Sequence, residues 1–217
     1  MKNLFLTILM AVIMMGVLCS CNNGNGGNGK IKYGKMSGDW PYYSEARELL
    51  EDGNLVFTGK ITGISFAVLD KKTALIPNGE TEDYNRALCT LYEVEIITSY
   101  KGDASDVTYF RVLGGLRDYR TDEQLQIMKE NNAYNWEFGI PVFSGDEEQK
   151  YDIGETYLFV MHKYEGGSAP TILNPWQSVY GLSEPSKSQD FPNVENISIK
   201  DIISEFGQEA WDSFCSQ

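Results

Sequence analysis

The chain has 217 residues, a formal net charge of −13 at pH 7, four cysteines and a single histidine. Its 31 acidic against 18 basic residues argue against DNA or RNA as the main partner, because binding a phosphate backbone requires a basic surface. The lone histidine excludes zinc sites built from several histidines, and the composition, 42% apolar and 23% charged, is that of a globular protein.

The first segment has the pattern of an export signal. Lys2 supplies a short positive region, and residues 4–18 are apolar except for Thr7 and Gly16. A membrane-spanning helix needs ~20 apolar residues, so this shorter run fits the hydrophobic core of a signal peptide better. We therefore predict a signal peptide over residues 1–20, with an uncleaved membrane anchor as the alternative.

The signal ends in Leu18-Cys19-Ser20-Cys21, which resembles a bacterial lipobox. The resemblance implies cleavage after Ser20 and lipidation of Cys21, with palmitate as an acyl chain. The chain would then be held at the extracytoplasmic face of the cell membrane by its lipid anchor. A signal peptide without lipidation is the alternative.

Residues 22–30 contain asparagine, glycine and one lysine, with no apolar side chain to bury. Such a segment is a flexible tether with a reach of ~15–18 Å. Gly24, Gly26 and Gly29 match a G-x-G-x-x-G pattern, but a dinucleotide-binding loop must follow a strand and open a helix. The folded domain is predicted over residues 31–217.

Hydrophobic patterning predicts a mainly β domain (α+β) with flanking helices. Leu55, Phe57 and Ile61 are apolar at alternate positions, and the apolar positions shift by one residue after Gly63, which predicts a β-bulge there. A single small sheet favours closure into a barrel, because closure removes its edges. The predicted strands cover residues 54–69, 86–100, 107–113, 156–162 and 170–182, the last broken at Asn174-Pro175.

Capping signals mark the helices. Ser44 is predicted to cap the first helix, and Gly53 to end it in the left-handed conformation. Thr121–Gln124 and Ser198–Asp201 are predicted capping boxes. The predicted helices cover residues 43–51, 121–129, and one or two segments from 198 to the C-terminus.

Three segments carry a family pattern, at residues 54–61, 92–102 and 154–159. They resemble the netrin-like OB-fold domain, the family that includes the tissue inhibitors of metalloproteinases. The chain is also similar to bacterial lipoproteins of the same layout, in which Gly-Gly closes the third strand and Asn-Pro lies near the end, as Gly114-Gly115 and Asn174-Pro175 do here. The resemblance covers about residues 54–182 and implies a five-stranded OB-like β-barrel.

The cysteines depart from this family. Its inhibitors chelate zinc through the free amine of an N-terminal cysteine held in a disulfide, whereas Cys21 is here the predicted lipidation site on a tether. The inhibitory mechanism therefore does not transfer. Cys89 and Cys215 remain for the folded domain. Export permits a disulfide between them, and two unpaired thiols are the alternative.

No established catalytic motif is present: G-x-S-x-G, H-E-x-x-H, a Walker loop and C-x-x-C are all missing from the sequence. His162 is predicted to be a structural residue of a strand. Neighbouring carboxylates such as Glu93 with Glu95, and those of residues 146–148, indicate solvated surfaces, with a surface hydrolase as the alternative. We expect no catalytic residue, no cofactor and no metal site.

Aromatic residues are the remaining signal, with 13 tyrosines, ten phenylalanines and four tryptophans. In loops they supply contact surface at low entropic cost. The predicted binding surface lies in residues 116–153 and 174–182, and the alternative is that these aromatics pack the long loop onto the barrel. Its residues are Tyr134, Trp136, Phe138, Trp176 and Tyr180.

These observations predict a non-catalytic binding or inhibitory module of the cell envelope, anchored by lipid on the extracytoplasmic side. Its expected partners are the membrane, through the anchor, and an envelope protein or glycan, with no nucleic acid. A structural or coat lipoprotein is a further alternative.

Overall fold

The structure is a computed structural model that describes residues 32–36, 38–105, 107–143, 150–164, 166, 169–182 and 197–215. These residues belong to one unit of the chain, Ile31–Gln217. The predicted signal peptide, Cys21 and the tether lie outside the described residues. The described part is mainly β with a few helices, which confirms the predicted fold class at that level.

The described residues contain eight strands where the sequence predicts five. Two of the additional strands, β1 and β5, lie in segments predicted to be irregular and pair with each other in parallel. The third arises because the predicted strand over 170–182 is divided at Asn174-Pro175, as expected. The strands are β1 Tyr33–Met36, β2 Leu55–Asp70, β3 Arg86–Lys101, β4 Tyr109–Leu113, β5 Ile140–Phe143, β6 Thr156–His162, β7 Thr171–Ile172 and β8 Val179–Gly181.

Six strands form one sheet in the order β2-β3-β4-β7-β6-β8, and β2 pairs in addition with β6. The pairings therefore run from β2 through β3, β4, β7 and β6 back to β2. β2 pairs with β3 and β6 in antiparallel orientation, whereas β4 and β7 are parallel. Because the first half of β2 has a neighbouring strand on each side, all of Leu55–Gly59 is buried.

The predicted bulge in β2 is confirmed. Ile61 pairs with Val94 and Gly63 with Glu93, so one additional residue of β2 lies between these two pairs. A shift by one residue moves the side chains to the other face of a strand. Within residues 60–68, the buried positions are therefore odd-numbered up to Ile61 and even-numbered from Ile64. A Cβ at Gly63 would lie only 2.5 Å from Oε2 of Glu93.

The core consists of two clusters on opposite faces of β2 and β6. Phe57 and Phe159 point into the first cluster with Tyr92 and Phe110. Their neighbours Val56, Leu158 and Val160 point into the second, which packs the helices onto the outer face of the sheet. The main residues that these helices contribute are Leu49, Ile202 and Ile203.

The described residues contain four α-helices. The predicted capping box at Ser198 and Asp201 is confirmed: the Ser198 Oγ accepts a hydrogen bond from the Asp201 N–H at 3.2 Å, and the Asp201 carboxylate accepts one from the Ser198 N–H at 2.8 Å. Short 3₁₀ turns occupy Asp83–Asn85 and Trp136–Phe138. The helices are α1 Ala46–Asp52, α2 Thr121–Glu130, α3 Ile199–Ser204 and α4 Gln208–Cys215.

The capping box predicted at Thr121 is wrong. Thr121 is the first helical residue, and the N-cap is Arg120 in the left-handed region at φ 46°. Gln124 is fully buried instead, where its side chain accepts from the N–H of Leu116 and donates to the carbonyls of Leu116 and Tyr119. Gln124 thus fixes α2 to the segment that follows β4.

The predicted ends of α1 are also corrected. The N-cap is Glu45, which makes no side-chain capping bond, and Ser44 instead donates to the Glu48 carboxylate from its N–H (2.8 Å) and hydroxyl (2.7 Å). Gly53 has φ −81°, outside the left-handed region. Ser44, one position before the N-cap, still fixes the first turn of α1. It does so by donating to the carboxylate of Glu48 rather than by accepting from backbone N–H groups.

Candidate binding cleft

A cleft of about 650 Å³ lies between residues 39–43, which precede α1, and the ends of strands β4, β6 and β7. Trp40, Tyr43 and Tyr164 contribute aromatic walls. Because several elements of the fold meet here, the cleft collects polar side chains that are distant in sequence. These polar lining residues are Asp39, Asp52, Lys71, Arg111, His162 and Thr171.

Arg111 is the buried cation of this cleft. It lies in β4 between Phe110 and Val112, which point into the first core cluster, so its own side chain projects from the opposite face. Only 9% of its surface is exposed. Its buried Nε donates to no described residue. None of the salt bridges among the described residues involves its guanidinium. The guanidinium carbon lies 5.9 Å from the ring centroid of Tyr164.

Cys89, in β3, is affected by the same cation. Burial raises the pKa of its thiol to about 11, and the positive charge of Arg111 and a hydrogen bond from it partly oppose this rise. Cys89 and Cys215 are both free in the structure, the first buried and the second exposed. The structure therefore contains no disulfide between them.

His162 ends β6 and is half-buried at the edge of the cleft. Its Nδ1 lies 3.1 Å from the backbone carbonyl oxygen of Asp52. A carbonyl oxygen can only accept, so Nδ1 carries the hydrogen in this contact. The ring also lies 4.7 Å from that of Tyr164, centroid to centroid. The predicted position in a strand is confirmed, and the place of His162 in the cleft lining is a new finding.

Side-chain amides fix the wall formed by residues 39–43. Asn174 donates to the carbonyl of Pro41 at 2.7 Å, and Gln177 accepts from the N–H of Tyr43 at 3.1 Å and donates to its carbonyl at 2.8 Å. Both amide side chains are buried, and the hydroxyl of Tyr43 donates to Asp52 at 3.0 Å. The turn at Asn174-Pro175 therefore holds the cleft wall in a set position.

A smaller cavity of about 260 Å³ adjoins the cleft, and Lys71 and Leu113 line both. Tyr134 and Phe138 form its outer edge, with 49% and 69% of their surfaces exposed. The Nζ of Lys71 lies 5.4 Å from the ring centroid of Tyr134. The cleft, the smaller cavity and two exposed aromatic side chains thus share one region of the surface.

The other residues of the predicted aromatic surface have different surroundings. Trp176 is half-buried, and its ring stacks on that of Tyr42 at 6.3 Å with an interplanar angle of 5°. Tyr180 is only 4% exposed and donates to the carbonyl of Gln177, so its prediction as a surface residue is wrong. Tyr180 points from β8 to the outer face of the sheet, into the second core cluster, where the helices cover it. The side chain of Trp136 lies outside the described part of the chain.

Four carboxyls among the described residues have a pKa that departs from its ordinary value. Those whose pKa departs from its ordinary value have it lowered, because hydrogen bonds from nearby hydroxyls or backbone amides stabilise the charged form. Glu93 and Glu95 are exposed on β3, and residues 146–148 lie outside the described part. The carboxyls with a lowered pKa are Glu48, Asp70, Asp103 and Asp201.

The described residues contain no cluster suited to a metal ion: no group of three or more histidine, cysteine, aspartate or glutamate side chains there is placed to hold one. Within the same residues, no helix has the length and apolar character needed to cross a membrane. Comparison with models of known protein families gave no match, and neither did comparison with curated proteins.

Proposed function

We propose that the protein is a lipid-anchored, extracytoplasmic binding or inhibitory module of the cell envelope without catalytic activity. The observation that carries the proposal is the pair of adjoining cavities that share Lys71 and Leu113 and end in the exposed rings of Tyr134 and Phe138. A concave site with aromatic walls and a few polar groups is the usual form of a ligand site. The partner is an envelope protein or glycan that contacts this face.

Binding is better supported than hydrolysis by paired carboxylates. A glycosidase-type general acid requires a carboxyl with a raised pKa, and the shifted carboxyls described above have a lowered one. Asp52, in the cleft, already accepts a hydrogen bond from Tyr43. Nδ1 of His162 is engaged by the backbone carbonyl of Asp52. These groups are arranged to hold the cleft walls rather than to transfer protons to a substrate.

We propose further that the β2-β3-β4-β7-β6 ring is a five-stranded OB-like barrel of the netrin-like kind. The pairing of β2 with both β3 and β6 supports this, because a barrel needs its first strand to meet two neighbours. Gly114 and Gly115, which follow β4, also support it. Their backbone N–H groups donate to Leu88 and to Pro141, and so connect β4 to both β3 and β5.

The lipid anchor has a direct test. Mass spectrometry of the mature N-terminus is expected to find a diacylglyceryl-modified Cys21, and Cys21→Ser is expected to move the chain from the membrane to the soluble fraction. Asn22→Ser is the matched control, because it introduces a hydroxyl beside Cys21 without removing the thiol, and this variant should stay in the membrane. An unmodified peptide that spans Ser20 and Cys21 would refute the anchor.

The binding surface is tested by enrichment of partners from native envelope with the soluble 31–217 chain as bait. Tyr134→Ala combined with Phe138→Ala is expected to remove the enriched protein or glycan. The matched control combines Tyr109→Ala with Ile97→Ala, two residues that are 41% and 50% exposed and line neither cavity. Equal enrichment by the unchanged chain and the aromatic double variant would contradict the proposed surface.

A further inference from the structure

The cleft contains a buried positive charge without a described counter-ion. Arg111 is nine-tenths buried, and its Nε makes no hydrogen bond to any described residue. No described aspartate or glutamate forms a salt bridge with it. Two neutral groups lie beside it, the face of Tyr164, 5.9 Å from the guanidinium carbon, and the thiol of Cys89, which also feels the positive charge of Lys71.

Such a charge is costly for the folded protein. A buried ion loses its hydration, and this loss is compensated only when an opposite charge and further hydrogen bonds are in place. A tyrosine ring returns only part of the loss, because a cation–π contact is much weaker than a buried ion pair. An anionic group of a ligand placed against the guanidinium would compensate the loss of hydration more fully.

A second buried donor lies in the same cleft. The indole Nε1 of Trp40 is buried and donates to no described residue. Trp40 and Arg111 both line the cleft, so both unpartnered N–H groups lie in its walls. Lys71, His162 and Thr171 also line it, and they bring a further positive charge, an imidazole and a hydroxyl.

Two acidic residues, Asp39 and Asp52, line the cleft as well, and both are exposed. Asp52 accepts a hydrogen bond from Tyr43. In the described part of the chain, neither Asp52 nor Asp39 forms a salt bridge with Arg111. The buried end of the cleft is therefore positive, whereas its acidic groups are accessible to solvent.

We propose that the cleft binds an oxyanion, the carboxylate or phosphate group of a small ligand, through the guanidinium of Arg111 and the indole N–H of Trp40. The inference rests on the proposed binding function and names the chemical class of its ligand. A planar guanidinium matches carboxylate and phosphate oxygens with two parallel hydrogen bonds. The Tyr164 ring lies 5.9 Å from the guanidinium carbon. The volume of about 650 Å³ lies within the range of small-molecule sites.

The test uses the full-length chain, with acetate, benzoate, phosphate and sulfate as probes and chloride at matched ionic strength as the control. Thermal unfolding and calorimetric titration measure binding, because a ligand that binds only the folded state raises its unfolding temperature. We expect stabilisation by carboxylate probes or by phosphate, and none by chloride. A response to acetate and benzoate alone identifies a carboxylate ligand, and a response to phosphate alone identifies a phosphate ligand.

Variants assign the response to Arg111. Arg111→Lys is expected to weaken binding by about tenfold to a hundredfold, the equivalent of losing a charge-assisted hydrogen bond. Arg111→Met is expected to abolish binding and to leave the unfolding temperature of the ligand-free protein unchanged or higher. Trp40→Phe is expected to weaken binding while keeping an aromatic ring. Arg47→Met is the matched control, because Arg47 is exposed and lines neither cavity.

Two results would overturn the inference. One is the failure of every oxyanion probe to bind. The other is a lower ligand-free unfolding temperature for Arg111→Met together with unchanged probe binding by Arg111→Lys, since Arg111 would then be a structural residue. Oxyanion binding with no envelope partner would contradict the proposed function alone, and partner binding with no oxyanion binding would contradict this inference alone.

Discussion

The guanidinium of Arg111 faces the ring of Tyr164 at 5.9 Å, in a cleft where no described carboxylate neutralises it. The pair links β4 to the residues that follow β6, and Tyr164 lies beside the imidazole of His162. An aromatic face attracts a cation without neutralising it. The positive charge therefore remains available to a ligand.

The Arg111–Tyr164 contact predicts a coupling between the two residues. Tyr164→Leu is expected to lower the free energy of unfolding by ~0.5–2 kcal/mol, because the cation–π contact is lost. In an Arg111→Met background the same change should cost less. A double-mutant cycle from denaturant unfolding measures the difference. Equal costs in the two backgrounds would show that Tyr164 acts through packing alone.

Replacement of Gly115 by alanine is predicted to cause a severe local packing defect. A Cβ there would lie 2.0 Å from Oε1 of Gln124 and 2.7 Å from Cγ2 of Ile140, both of them buried. Gly115→Ala is therefore expected to displace Gln124 and to cost ~1–3 kcal/mol, as overpacking does. Gly79→Ala is the control, since nothing lies within 4 Å of its Cβ position. Equal denaturation midpoints for the two variants would contradict this packing.

The long strands were predictable because their patterns are strong. The two faces of β2 alternate clearly, and a bulge absorbs the one-residue shift at Gly63, so both the strand and its bulge are found in the structure. β1 and β5 have four residues each and pair across more than 100 positions of sequence. Strands so short carry too few alternations to be distinguished from irregular segments.

The candidate site was predictable only in part. Tyr134 and Phe138 are exposed aromatics, as their place in a segment predicted to be a loop indicates. The sequence analysis identified neither Arg111 nor Trp40. An arginine that alternates with apolar strand residues, as Arg111 does, has the same pattern whether its side chain faces water or a cleft. Tyr180 was predicted to be a surface residue for a related reason. Which face of β8 the helices cover depends on tertiary packing, and the local sequence does not encode that packing.

The capping box of α3 predicts a pH-dependent contribution to stability. Hydrogen bonds from Ser198 lower the pKa of Asp201, so the carboxylate stabilises the fold above its ordinary pKa of 3.8, and this contribution is lost as the pH falls through the lowered value. Ser198→Ala is expected to cost ~1 kcal/mol at pH 7 and less in acid. Ser204→Ala, at the end of the same helix, is the control. A cost that does not change between pH 7 and acid would contradict the assignment.

The two free thiols predict selective alkylation. Cys215 is exposed, whereas burial raises the pKa of Cys89 to about 11 and shields it. Iodoacetamide at mildly alkaline pH is expected to modify Cys215 in the folded protein and Cys89 only after unfolding, as followed by peptide mass spectrometry. If neither thiol reacts in urea without a reductant, the two are joined in a disulfide and the free state is contradicted.

Hydrogen–deuterium exchange of the anchored chain, with and without native envelope partners, tests most directly whether the protein binds through the face that carries the two cavities. Binding there predicts slower exchange in residues 38–43 and 134–139, which border the two cavities. Tyr134→Ala combined with Phe138→Ala should remove that protection. Protection confined to α4, or unchanged exchange throughout the chain, would contradict a binding module that uses this face.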